Sequence, residues 1–167
     1  MDIFIEKIVA RKKTMLDTAF AALMMLAGFV VVLVVFNVPQ LSSYGLLLTA
    51  GIVYVTFRFI TSRNIEYEYS VTNGDLDIDT IISQRKRKRI FSASCKDFDI
   101  VARRKSDKYS GDVMKIAKRI EAISSLDSED VFFAVLNYKG EKTIVFFKPD
   151  ERILNSFTTF IPRKVFS

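Results

Sequence analysis

The chain has 167 residues, half of them hydrophobic, and its 25 Lys and Arg against 19 Asp and Glu give a net charge of +6. It contains no histidine, one cysteine and six scattered glycines. This excludes histidine-dependent nucleophile pairs, most zinc sites, an internal disulfide and a glycine-rich phosphate loop. The length predicts one domain together with a membrane anchor, and we expect no catalytic site, no metal site and no cofactor.

The first residues mix apolar and basic side chains. The segment ends in the basic run Arg11-Lys12-Lys13. The apolar residues before this run are Ile3, Phe4, Ile5, Ile8 and Val9. This pattern predicts a short amphipathic helix that lies at the cytoplasmic surface of a membrane.

A run of forty residues, Thr18 to Phe57, then carries no charged side chain. A helix of about twenty apolar residues crosses the roughly 30 Å hydrocarbon core of a bilayer. Asn37-Val38-Pro39-Gln40 interrupts the run, so we predict a transmembrane hairpin with crossings at about 17–38 and 41–60. The interfacial helix and this hairpin together form the first predicted region, residues 1–63.

The charges that flank the hairpin predict its orientation. Lys7 and the run 11–13 precede the first crossing, Arg58 and Arg63 end the second, and the turn between them is uncharged. Lys and Arg accumulate on the cytoplasmic side of membrane proteins. We therefore expect a multi-pass protein of the cell membrane with both termini in the cytoplasm.

Residues 64–167 form the predicted cytosolic domain. Apolar and polar side chains alternate from Ile65 to Val71, as in a half-buried strand, and Asn73-Gly74 is the strongest short signal for a β-hairpin. The return strand follows from Leu76 to Ile82. Further on, Asp112–Leu126 fits both a helical and a strand period, and we favour a short helical turn followed by a strand.

A second hairpin and a helix are predicted near the end of the chain. The strands are Val131–Tyr138 and Lys142–Lys148, with Lys139-Gly140 as the turn. Pro149-Asp150-Glu151 then suits a helix start, because Asp150 can cap it. An apolar stripe at helical spacing follows: Ile153, Leu154, Phe157, Phe160 and Ile161. Antiparallel strands closed by one helix indicate an α+β fold or a partly open barrel.

The sequence also resembles a known family. The first hairpin (residues 67–78, YEYSVTNGDLDI), its basic continuation and the ending (FKPDE at 147–151 and IPRKVF at 161–166) are similar to a family of small two-span membrane proteins of Gram-positive bacteria. The soluble part of that family is similar to bacterial pleckstrin-homology-like domains. The resemblance implies a cytosolic domain of this kind, with a bent sheet and a C-terminal helix, and it brings no catalytic residues.

A basic run is the strongest local feature of this domain, and its five cations are Arg85, Lys86, Arg87, Lys88 and Arg89. Alternation along a strand places the three arginines on one face and the two lysines on the other, so we predict a basic hairpin tip. Three interpretations stay open: a solvated turn, a contact with the anionic membrane surface, or the binding of an acidic protein or nucleic acid. The modest net charge argues against a dedicated nucleic-acid binder.

Two other features have structural interpretations. Asp75, Asp77 and Asp79 share a strand face, but no glycine or distal glutamate of a calcium loop accompanies them, and we expect them to pair with the basic run. Cys95 falls in a strand-like stretch and is expected to be a buried thiol.

These observations predict a membrane-anchored, non-enzymatic binding module. Its partner is expected to be a protein or the anionic membrane surface, with the run 85–89 as the candidate contact. The alternative is a structural or accessory subunit of a membrane protein complex. The sequence leaves the oligomeric state open.

Overall fold

The computed structural model of the chain describes residues 4–166, which fall into two units. Residues 12–65 form a helical unit, whereas residues 4–11 and 66–166 form a β-rich unit. The helical unit is thus inserted in sequence after the first strand of the β-rich unit.

The helical unit contains two apolar helices with a short helical turn between them. Helix α1 (Met15–Asn37) has 23 residues and is long and apolar enough to cross a membrane. The short α2 (Pro39–Ser42) begins at a proline, which suits a first helical position because its missing N–H has no intrahelical partner there. The apolar α3 (Gly45–Thr61) has 17 residues and begins later than the predicted second crossing at about 41–60.

Helix α1 begins at a capping box. The Asp17 N–H donates to Thr14 Oγ1 at 3.3 Å, and the Thr14 N–H donates to the Asp17 carboxylate at 3.0 Å. The same carboxylate lies 3.0 Å from the Arg63 guanidinium, which also stacks over the Phe20 ring at 5.2 Å. The acid at the start of the apolar run is therefore held by both ends of the helical unit.

Small residues allow α3 to pack against α1. A Cβ atom on Gly28 would lie 2.8 Å from Thr56 Oγ1, and one on Gly45 would lie 2.8 Å from the Phe36 ring. Such close backbone approach is typical of helices that associate in membranes. A Cβ atom on Gly51 would meet nothing within 4 Å.

The first strand of the β-rich unit departs most from the sequence prediction. Strand β1 (Phe4–Ala10) pairs antiparallel with β2 (Ile65–Thr72), with Ala10 opposite Glu66. The predicted amphipathic helix is therefore wrong for the described part of this segment. Ile3, which belonged to that prediction, lies outside the described residues.

A non-local pairing explains this difference. Ile5 and Val9 are buried in the core, and Lys7 between them stands opposite Tyr69. The partner strand follows more than fifty residues later in sequence, so local periodicity could not reveal it. The predicted boundary after residue 63 consequently leaves out a strand that belongs to the sheet.

The first sheet, sheet A, has the order β1-β2-β3-β4, where β3 is Asp75–Ile82 and β4 is Lys86–Ser94. The predicted turn between β2 and β3 is confirmed, since Asn73 and Gly74 have φ of 51° and 88°. A side chain at Gly74 would collide with Phe160 and with the buried Cys95, at 2.8 and 2.9 Å.

The second sheet, sheet B, has the order β6-β8-β7-β5-β9. A 3₁₀ turn, Cys95–Asp97, leads into it from β4. Its strands are β5 (Phe98–Arg103), β6 (Lys118–Glu121), β7 (Phe132–Tyr138), β8 (Glu141–Phe147) and β9 (Val165–Phe166). The hairpin of β7 and β8 is confirmed, with Lys139 and Gly140 at φ of 54° and 84°.

The predicted C-terminal helix closes the core between the two sheets. Helix α4 (Glu151–Phe160) begins where the Asp150 carboxylate accepts the Ile153 N–H at 2.9 Å. Ile153 and Phe157 are completely buried, and the Phe157 ring contacts Phe98 edge-on at 5.8 Å between centroids. The apolar stripe predicted from the sequence therefore faces the core.

Sheet B is also covered on its other face. The segment 104–117, which connects β5 to β6, lays the Tyr109 ring against Phe133 and Phe146 at 5.3 and 5.9 Å. Turns occupy residues 112–115, and β6 follows, which confirms a turn and a strand in the ambiguous segment but no helix.

We expect β1 to be required for the stability of the β-rich unit. A variant in which a short turn replaces residues 12–64 should fold, because Ala10 and Glu66 already stand opposite each other. A fragment of residues 64–167 should be less stable, since it loses the burial of Ile5 and Val9, about 1.5–3 kcal/mol each. Urea denaturation followed by circular dichroism measures the difference. Equal midpoints for the two proteins would contradict a role of β1 in the core.

Candidate functional site: the turn end of sheet A

The basic run lies at the connection between β3 and β4. Ser83 and Gln84 both have φ of 54°, and the Arg85 N–H donates to the Ile82 carbonyl at 3.1 Å, which closes a two-residue turn. Strand β4 begins directly afterwards at Lys86. The cations therefore extend from the turn into the strand, where the sequence predicted only a hairpin tip.

The register of β3 and β4 divides the cations between two faces. Arg87 stands opposite Ile81 and Arg89 opposite Asp79, with a bulge directly after that pair. Lys88 stands opposite Thr80. This pair lies on the other face of the sheet, the face that also carries the buried Ile78. The predicted separation of arginines from lysines is thus confirmed for the strand, and the five cations do not form one surface.

Arg89 is held by the aspartates of the neighbouring strand. Its Nε and Nη2 donate to the two carboxylate oxygens of Asp79 at 2.8 and 3.2 Å, and its Nη1 donates to Asp77 at 2.7 Å. A fork of this kind fixes the guanidinium geometry. The expected pairing of the aspartate face with the basic run is therefore confirmed for these residues.

Arg87 is held by a buried glutamate two strands away. Its Nη2 lies 2.8 Å from both carboxylate oxygens of Glu68, whose side chain is only 2% exposed. Burial raises the pKa of Glu68, and a hydrogen bond with Glu6 on β1 acts in the same direction, whereas the positive charge of Arg87 opposes it. The face of sheet A that points away from the core, its outer face, thus carries a network of charges that reaches from β1 to β4.

These pairings leave three cations available. Arg85, Lys86 and Lys88 are exposed and form no ion pair with any residue in the range 4–166. We call them the free cations. They flank the β3–β4 turn, and Arg87 and Arg89 are excluded from the set because their guanidinium groups neutralise buried or partly buried acids.

A cleft opens beside the same turn on the outer face of sheet A. Its volume is about 350 Å³ and its lining is Ile8, Glu66, Ile81, Gln84, Arg85 and Arg87. Gln84 Nε2 donates to Glu66 Oε1 at 3.3 Å, which connects the turn to the start of β2. The cleft therefore brings together strands β1 to β4 at one end of the sheet.

The cysteine and the acidic side chains are the other candidates for chemistry in this domain. Cys95 is buried, burial raises the pKa of its thiol, and its Sγ lies where a side chain at Gly74 would stand. Such a thiol is a poor nucleophile. Among the described residues, no group of three or more His, Cys, Asp or Glu side chains is arranged to hold a metal ion.

Sequence patterns alone do not reveal the contribution of β1 to this site. Glu6 and Ile8 reach it only because β1 pairs with β2. The signal that could have found them is the spacing of Ile5 and Val9, which share one face if the segment is a strand. A helical period fits the same residues, so a segment of seven residues could not decide between a strand and a helix.

The raised pKa of Glu68 predicts a pH dependence of stability. The folded chain holds this proton more tightly than the unfolded chain, so the free energy of unfolding should fall as the pH rises from the ordinary glutamate value through the raised pKa. Glu68→Gln resembles the protonated form and should remove this fall. Thermal unfolding of the full chain in neutral detergent at a series of pH values measures it.

The matched control for this variant is Glu151→Gln, which changes an exposed glutamate on α4. It should keep the pH dependence of the original protein. If Glu68→Gln and the original protein show parallel curves, then Glu68 does not titrate differently in the folded and unfolded chains.

The chain matches a known protein family. A family model described as a bacterial PH-like domain (DUF6106) matches residues 1–167. No curated protein and no solved structure matches the chain. The two sheets and the closing helix agree with that description, and the match covers the inserted helices as well. The protein belongs to this family of bacterial PH-like domains.

Proposed function

We propose that this protein is a two-span membrane protein whose cytoplasmic PH-like domain contacts the anionic surface of the same membrane through Arg85, Lys86 and Lys88. The family supports a role as a binding module. The single observation that carries the proposal is the presence of these three free cations at the end of sheet A from which the chain continues into the helical unit.

The anchor in this proposal is the pair α1 and α3. Helix α1 is long and apolar enough to span a bilayer, and α3 packs against it through Gly28 and Gly45. Lys12 and Lys13 precede α1, Arg58 lies in the last turn of α3 and Arg63 follows that helix, whereas the connection between the helices is uncharged. This distribution supports cytoplasmic termini.

Short segments of the chain connect sheet A to the anchor. Only residues 11–14 connect β1 to α1, and only residues 62–64 connect α3 to β2. Extended segments of this length reach at most about 14 Å. Because β2 and β3 form a hairpin, the β3–β4 turn returns to the same end of sheet A as these connections. At physiological ionic strength a charge feels an anionic surface only within about 8 Å, and connections this short allow the turn to come that close.

The strength of this contact should be modest. Basic residues near an anionic leaflet gain about 1 kcal/mol each, so three free cations cannot hold a domain at a membrane without help. The anchor provides that help, because it keeps the domain at a high effective concentration near the surface. The contact then sets the orientation of the domain rather than its location.

One observation favours a second candidate, an accessory subunit of a membrane protein complex. The surface of α1 and α3 has an apolar groove of about 500 Å³ that is lined in part by Gly28, Gly51 and Thr56. Small residues of this kind let a further helix approach closely. Under this alternative, the helices bind another membrane protein and the free cations stay solvated.

The proposed orientation predicts a labelling pattern in intact cells. Ser42→Cys, in the connection between the helices, should react with a membrane-impermeant maleimide. Lys142→Cys, an exposed position on β8, should react only after the cells are opened. The native Cys95 is buried and should stay unlabelled in both cases. Labelling of Lys142→Cys from outside would overturn the orientation.

The membrane contact predicts protection of two lysines. In nanodiscs that contain anionic lipid, Lys86 and Lys88 should react several-fold more slowly with an amine-acylating reagent than in neutral nanodiscs, as measured by mass spectrometry of the full chain. The protection should disappear in about 1 M salt, where the screening length is about 3 Å. Lys142 should react equally in all conditions.

A paired variant tests the same contact. Arg85→Gln/Lys88→Gln should restore the reactivity of Lys86 in anionic nanodiscs, because too little charge remains to hold the turn at the surface. Lys142→Gln is the matched control and should keep the protection. Equal reactivity of Lys86 in neutral and anionic nanodiscs at low salt would refute the contact and favour the accessory-subunit alternative.

A further inference from the structure

The cleft at the turn end of sheet A combines opposite charges with apolar surface. Glu66 comes from β2 and Arg87 from β4, and Ile81 of β3 lies between them in strand order. Two strand spacings separate the acid from the guanidinium, about 10 Å at the backbone. The volume of about 350 Å³ lies within the range of small-molecule pockets.

The charged groups of the cleft retain unused hydrogen-bonding capacity. Arg85 forms no ion pair within the described part of the chain, and Arg87 contacts Glu68 through Nη2. A guanidinium has five N–H donors, so both arginines can still donate to an oxyanion. Glu66 accepts one long hydrogen bond from Gln84 at its Oε1, and a carboxylate has about four acceptor positions.

The apolar part of the cleft lies beside these charges. The Ile8 side chain is 54% exposed on the outer face of an edge strand. Ile81 stands opposite Arg87 on the neighbouring strand. An occupant of the cleft therefore meets an anion-binding side, a cation-binding side and a small apolar surface.

We propose that the cleft binds a phosphodiester that carries a primary amine, such as the ethanolamine phosphodiester of a phospholipid headgroup. The phosphate oxygens accept from Arg85 and Arg87, the ammonium donates to Glu66, and the carbon atoms of the glycerol contact Ile8. The membrane-bound form of this ligand rests on the proposed function, because that contact brings the turn end of sheet A to the headgroups.

Related headgroups satisfy only part of the cleft. A choline phosphodiester has no N–H to donate to Glu66, and a glycerol phosphodiester has no positive charge at that position. Electrostatic attraction alone would bind all three diesters through the phosphate. Lys86 and Lys88 would contribute to that attraction as well. Selectivity for the primary amine therefore distinguishes binding in the cleft from electrostatic attraction to the basic run.

The experiment uses the full chain, labelled with ¹⁵N, in a neutral detergent. Titration with sn-glycero-3-phosphoethanolamine should shift the amide signals of residues that line the cleft. This soluble diester and its choline counterpart have no acyl chains, so they do not compete with the detergent for the apolar surface of the helices. The choline counterpart should bind about tenfold more weakly, since one hydrogen bond to a charged group is lost.

Three variants separate the groups involved. Glu66→Gln should abolish the preference for ethanolamine over choline, and Arg85→Gln should weaken the binding of both diesters. Lys142→Gln is the matched control, because it removes an exposed lysine of β8 that does not line the cleft. It should leave both titrations unchanged. No saturable shift, or a preference that survives Glu66→Gln, would overturn the proposal.

A second arm identifies the source of the ligand and separates this proposal from the membrane contact. In anionic nanodiscs, added phosphatidylethanolamine should increase the protection of Lys86 more than phosphatidylcholine does, and Glu66→Gln should cancel the difference. Shifts with the soluble diester but no such difference would support a soluble ligand and overturn the lipid source. Shifts without any lysine protection would overturn the membrane contact alone, and protection without shifts would overturn the cleft alone.

Discussion

The pairing of β1 with β2 is the constraint on which the rest of this structure depends. The chain leaves sheet A at Ala10 and returns opposite that position at Glu66, after the whole helical unit. An antiparallel pair normally closes with a short loop, and here the helical unit replaces that loop. Both connections to the helices therefore leave from one end of the sheet. The short β2–β3 turn then forces the β3–β4 turn to the same end.

The buried acids of sheet A decide which basic side chains stay available. Glu68 and Asp79 are almost completely buried on the outer face, and an unpaired carboxylate there would be costly. Arg87 and Arg89 satisfy them across neighbouring strands. The basic run thus has two roles, because two of its members stabilise the sheet and the others remain exposed at the turn.

The packing of the two sheets explains why the candidate site lies on sheet A. Sheet B is covered on both faces, by the main core on one side and by the segment 104–117 on the other. Tyr69 connects the sheets, since its hydroxyl donates to the Ala122 carbonyl and accepts from the Lys148 N–H. Sheet A has a core on one face only. Its other face is the one on which charged side chains and a cleft stay exposed.

Local sequence determined the elements whose signals are local. The turns at Asn73-Gly74 and Lys139-Gly140 follow from residues that tolerate positive φ, and α4 follows from its cap and its helical stripe. The apolar run determined the helices. Only the tertiary structure decided that residues 4–10 form a strand and that Arg85, Lys86 and Lys88 are the free cations. The physical reason is that strand pairing and ion pairing depend on partners from other strands, and a local pattern contains no information about which distant residue supplies the partner.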